Sequence, residues 1–116
     1  MALKPLAHKP PVPLPSAPAW GIIAPEGDTP SVLRLECGDR TESIPYHTLS
    51  RWTLHLGAED TLTLWAGSFT ATLRGRALSP VRDALEAGQL VCVRATPARY
   101  LPVRTGPVIT DIRFSA

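Results

Sequence analysis

The chain has 116 residues, enough for one domain, with 12 basic and 10 acidic side chains and a formal net charge of +2. So small an excess points to no polyanion partner by itself. No apolar run approaches the roughly eighteen residues of a membrane-crossing helix, and the opening MALKPLAHKPP lacks the apolar heart of a secretory leader.

Residues 1–19 read as a disordered or semi-rigid arm. Six of the thirteen prolines fall there: Pro5, Pro10, Pro11, Pro13, Pro15 and Pro18. Proline fixes φ and removes a backbone donor, so the segment favours extended polyproline II without internal hydrogen bonds. PPVP and PSAP have the PxxP spacing that polyproline-reading grooves accept, although a plain spacer has the same composition. Residues 20–30 read as a connector, with Trp20-Gly-Ile-Ile as the place where arm meets domain.

From 31 to 116 the pattern is that of one small β-rich domain. In SVLRLEC, Leu33, Leu35 and Cys37 face one way while Val32, Arg34 and Glu36 face the other. Gly38-Asp39 offers a tight turn into RTESIPY. In WTLHL, Trp52, Leu54 and Leu56 alternate with Thr53 and His55. The Gly57–Asp60 turn leads to TLTLW, with Leu62 and Leu64 inward. After Ala66-Gly67, FTATLR sets Phe69, Ala71 and Leu73 inward against Thr70, Thr72 and Arg74. Apolar residues alternating with threonine between glycine turns predict antiparallel strands.

Ser79-Pro80 then reads as a helix start, with Leu78, Val81 and Leu85 on one face and Gly88 as the terminating glycine, giving a helix over 80–87. QLVCVRA (89–95) is a strand apolar on both sides, and PVITDIRF closes the chain with Val108, Ile112 and Phe114 inward. The expected class is mainly β (α+β): an antiparallel five-strand meander, one short helix and two further strands, forming a strongly bent sheet or half-open small barrel.

The stretches IPYHTLSRW and LTLWAGSFTATLRGRALSPVRDALEAGQLVCVR, with the closing ITDIRF, resemble small bacterial domains of unknown function. Those have a strand ending in G-R-x-L, a short helix and an apolar strand behind it. The likeness spans about the last 75 residues; it implies a fold and no activity.

Cys37 and Cys92 each sit in an apolar strand, where a free thiol packs as a small hydrophobe. Reduced thiols and a cytoplasmic setting are therefore expected. No histidine lies at ligand spacing from them, so no metal or other cofactor is expected. There is no G-x-S-x-G, no glycine-rich phosphate cradle and no H-E-x-x-H. His8 lies in the arm, His47 before the third strand and His55 on an outward position. No catalytic constellation follows from these residues, and the protein is not expected to be an enzyme.

Two sets of side chains stand out as contacts. VRATPARYLPVRTGP (93–107) contains no acid and carries Arg94, Arg99, Tyr100 and Arg104, with Arg74 and Arg76 at the preceding strand end. Together they could grip an anion or nucleic acid, with Tyr100 stacking on a base; a solvated connector accounts for the same residues. Trp65 breaks the alternation of Leu62 and Leu64: either it points outward and marks, with Trp20, a candidate protein contact, or a twist or bulge at Ala66-Gly67 turns it back inside. The expected function is a non-catalytic protein-interaction or adaptor module whose partner is another protein or a second copy. The alternative is a nucleic-acid or anion binder using the basic stretch 94–104.

Overall fold

The computed structural model describes residues 20–96 and 106–116. Arg99, Tyr100, Arg104 and the arm 1–19 lie outside the described residues. The described chain runs β1 (Gly21–Ile23), β2 (Val32–Cys37), β3 (Arg40–Pro45), a 3₁₀ turn (Tyr46–Thr48), β4 (Leu49–His55), β5 (Asp60–Ala66), β6 (Phe69–Arg76), α1 (Ser79–Glu86), β7 (Leu90–Arg94) and β8 (Val108–Ser115). It is mainly β with one helix, as the alternation predicts.

The strands form two four-stranded sheets, in the orders β1-β7-β2-β3 and β4-β5-β6-β8. The predicted meander is thus divided after its second strand. Among the described residues β3 pairs only with β2, and β4 opens the other sheet. The second sheet is antiparallel throughout, whereas β2 and β7 run parallel. β1 falls within the segment predicted as connector. It pairs with β7, and it makes an eighth strand.

Two hairpins follow directly from their turn residues. Gly38 and Gly67 each stand first in a two-residue loop, at φ 64° and 62°, where a type II′ turn puts a glycine. The helix end is equally local. Gly88 has φ 71°, its N–H donates to the Leu85 carbonyl, and the Gln89 N–H donates to that of Ala84. This paired closure is the Schellman motif. The helix start differs from expectation, since Ser79 makes no side-chain cap. Asp60 serves that end instead, its carboxylate accepting from the Leu78 N–H at 3.2 Å.

One core lies between the sheets. Leu33, Leu35 and Val93 meet Leu62, Leu64 and Leu73, all at most 1% exposed, and α1 adds Leu78, Val81 and Leu85. Leu56, expected to point inward, is 64% exposed because β4 ends one residue earlier. A register shift opposite Arg74/Gly75 turns both Ile109 and Ile112 into the core.

The move from one sheet to the other takes three residues. Tyr46 secures it: its N–H donates to the Ser31 carbonyl, and its hydroxyl to the Leu90 carbonyl at 2.7 Å. Burial pushes this phenol up to about 12, so it remains a donor throughout the physiological range.

Gly75 stands where a Cβ would strike the Val108 carbonyl on the neighbouring strand. Gly75→Ala is therefore expected to cost about 1–3 kcal/mol, the usual penalty for an overpacked site. Ala77 has φ 56°, left-handed backbone that disfavours an L side chain, so Ala77→Gly should gain up to about 1 kcal/mol. Urea unfolding of both variants, at an unchanged m-value, measures these shifts. A neutral Gly75→Ala would contradict the β6–β8 register.

Candidate functional site

β3 is the edge strand that is least protected. β1 is only three residues long and its pairing shifts register, and shifts also interrupt the β4 and β8 pairings. β3 pairs with β2 through all six of its residues without a shift. Bulges and short length are the usual ways of blunting an edge, and β3 has neither.

The hairpin geometry settles which backbone groups face outward. In a two-residue hairpin the closing pair, Cys37 and Arg40, is hydrogen-bonded, and bonded pairs then alternate along the ladder. The Glu36 carbonyl accordingly faces away from β3 and accepts from the Ala95 N–H. Its partner Thr41, and Ser43 two residues on, direct N–H and C=O away from β2. Pro45 also faces outward, but its carbonyl already accepts from the Thr48 hydroxyl at 2.7 Å.

Beside this edge is an open cleft of about 280 Å³, with Ile44, Pro45, Ala66 and Phe69 as its apolar walls and Glu42, Ser43 and Thr48 as its polar ones. It exists because β3 runs across one end of the other sheet. Arg40, at the start of β3, lies over the ring of Phe114 in β8, its guanidinium carbon 4.5 Å from the centroid. Phe114 stacks on Phe69 at 5.9 Å, and the far end of β3 reaches Ala66. Arg40 is held in place by Glu42, with its Nη2 2.7 Å and its Nε 2.8 Å from one carboxylate oxygen. At the opposite end of the β4–β8 sheet, where β6 leads into α1, Asp60 of β5 holds the start of the helix through the Leu78 N–H.

Among the described residues, those singled out in the sequence do not converge. Arg74 points outward from β6 and pairs with Glu59 at 3.5 Å, while Arg76 is exposed where β6 meets the start of β8. Arg94 lies on the outer face of the other sheet, its Nε 3.0 Å from Glu36. Arg74 and Arg94 thus stand on different faces of the fold. Trp20 is 7% exposed and belongs to the core, which leaves its ring no surface to offer a partner. Trp65 does point outward, with the Arg51 guanidinium 4.7 Å above its ring. Arg40, Phe69 and Phe114 were not singled out by the sequence. Their only signal is that both phenylalanines stand near strand ends; the meeting itself depends on β3 crossing the other sheet.

The Arg94 cluster has its own chemistry. Cys92 is fully buried, and its thiol donates to the second Glu36 oxygen at 3.3 Å. Arg94 beside it holds the Glu36 carboxyl below its ordinary value of 4.5. Burial, followed by the neighbouring carboxylate, pushes the Cys92 thiol up. This is the environment of an inert thiol. Among the described residues no three of His, Cys, Asp and Glu gather as a metal would need, and no helix is long and apolar enough to cross a membrane.

Compared with protein families, characterised proteins and solved structures, the chain matches none.

Two outcomes follow for the Glu36 cluster. A carboxyl depressed by folding contributes stability above its unfolded value, and that contribution is lost as pH falls below it. Glu36→Gln should therefore flatten the loss of stability below about pH 4.5, by a small amount because the pair is partly solvated. Thermal unfolding across pH 3 to 7 measures it, and a steeper acid loss in the variant would contradict the pairing. In the native protein iodoacetamide should spare Cys92 at pH 8 and modify it once urea is added, as peptide mass mapping can read.

Proposed function

We propose that this domain is a non-catalytic protein-interaction module that receives an extended segment of a partner, another protein or a second copy of the chain, along β3. The added strand would take the outward N–H and C=O groups of Thr41 and Ser43, which have no partner among the described residues, and place one side chain in the neighbouring cleft. Strand addition obtains its affinity from main-chain hydrogen bonds and its selectivity from pockets for alternate side chains.

The observation that carries the reading is an uninterrupted six-residue edge strand lying beside an apolar cleft. The cleft volume of about 280 Å³ can admit one aliphatic or aromatic side chain, with Phe69 and Ile44 as its contacts. The chemistry nearby also favours binding over turnover. Ser43 and Thr48 have no histidine among the residues lining the cleft, and the one acid there, Glu42, is engaged by Arg40. A hydroxyl without a base is a poor nucleophile, so the groups present suit recognition.

A displayed library of random decapeptides, selected against the folded protein, tests the proposal. Enriched peptides should share an apolar residue and lose most of their affinity for Ser43→Pro, which removes the outward N–H. Phe69→Leu, which reshapes the cleft without emptying it, should change which apolar residue is selected. Sedimentation of the free protein reads the second-copy form of the same contact, which Ser43→Pro should also weaken. Peptides that bind wild type and a folded Ser43→Pro variant equally would overturn the β3 assignment.

A further inference from the structure

The outer face of the β4–β8 sheet forms a second surface, separate from the β3 edge. Register places Trp65 between Arg51 and Thr70, and sets Thr53, Thr63, Thr72 and Arg113 in one row across all four strands. Threonines of β4, β5 and β6 are the commonest side chains on this face, and among the described residues no aliphatic side chain stands on it. Its largest ring is Trp65, which is outside the core cluster and only partly exposed, and His55 opposite Thr61 supplies a second, exposed one. This face carries three arginines, Arg51, Arg74 and Arg113, against two acids, Asp111 on β8 and Glu59 in the turn before β5.

The arrangement around Trp65 gives the face a direction. Arg51 makes no ion pair with a described residue, and its guanidinium lies 4.7 Å from the indole centroid. A planar cation on an indole face occupies the position that a nucleobase would take, and the two ligands are bound by the same π surface. Arg113 pairs with Asp111 at 2.9 Å and Arg74 with Glu59 at 3.5 Å. Both pairs are solvated and weak, so a phosphate can compete for either arginine. Hydroxyls between them supply neutral donors. Protein partners, in contrast, are anchored by apolar side chains at an uncharged interface centre, and this face has none besides Trp65.

We propose that this face binds single-stranded nucleic acid, with one base stacked at Trp65 and the backbone phosphates on Arg51, Arg74 and Arg113. Single strands are favoured over duplex because the indole needs an unstacked base. Of the residues that the basic stretch suggests together with the preceding strand end, this face contains Arg74, whereas Arg94 is on the other sheet. It does not depend on the β3 proposal.

Fluorescence anisotropy with a labelled deoxythymidine dodecamer tests this on the full chain. Three phosphate contacts predict a log–log salt slope of about −2, hence about twentyfold weaker binding at 200 mM than at 50 mM salt. Trp65→Ala should weaken binding about tenfold, Trp65→Phe much less, and Arg51→Ala and Arg113→Ala severalfold each. Arg34→Ala, on the outer face of the other sheet, should leave it unchanged. If Trp65→Ala fails to fold by circular dichroism, the surface variants Arg51→Ala and Arg113→Ala decide. No binding at low salt would overturn the proposal. So would duplex binding as tight as single strand, or equal losses from Arg34→Ala and Arg113→Ala, either of which indicates a diffuse charge effect.

Discussion

Between β3 and β4 the chain has three residues in which to leave one sheet and enter the other, and Tyr46 holds that crossing. Its backbone N–H is tied to Ser31 beside β2, and its hydroxyl to Leu90 at the start of β7. A half-buried phenol gains from an acceptor, and the one it bonds belongs to the strand next to β2 in the sheet being left. The turn is thereby anchored to both neighbouring strands. With that direction set, β4 can pair only with β5, and the leucines of the two sheets come face to face.

The same crossing leaves β3 as an edge. A continuous meander would have buried its outer backbone groups in a ladder with β4. Divided as it is, the hairpin of β2 and β3 lies across the end of the other sheet, where Arg40 meets Phe114 and the cleft opens against Phe69. Charge and proline protect this edge in part, through the Arg40–Glu42 pair and Pro45. The outward backbone groups of Thr41 and Ser43 have no such cover among the described residues. The proposed binding edge and the division of the meander thus have one origin.

Electrostatics here act locally rather than as a field. A net charge of +2 is distributed as short pairs: Arg40 with Glu42, Arg94 with Glu36, Arg113 with Asp111. Each is solvated and contributes little to stability. Their effect is on position, since they hold guanidinium groups flat against a strand or ring. Arg51 differs in resting on Trp65 without an acid, and that difference distinguishes the outer face of the β4–β8 sheet from an ordinary solvated one.

How much of this was legible in the chain depends on the range of the interaction. Leu33, Leu35, Leu62, Leu64 and Leu73 declare themselves by alternating with polar neighbours, and Gly38, Gly67 and Gly88 by the backbone angles that they alone adopt cheaply. These are local rules, and strands, turns and helix end follow from them. Trp65 was legible as an exception to the alternation, and its outward side chain agrees. Trp20 and β1 were hidden, because a three-residue strand carries too little periodicity to be told from a connector. The sequence by itself therefore determined seven of the eight strands, up to their ends, and which side of most of them is apolar. Only the tertiary structure decided which strands share a sheet, that Arg40 meets Phe114, and that Arg74 and Arg94 lie apart. Alternation specifies a face relative to its own strand, whereas pairing is chosen by closing one core among all strands at once.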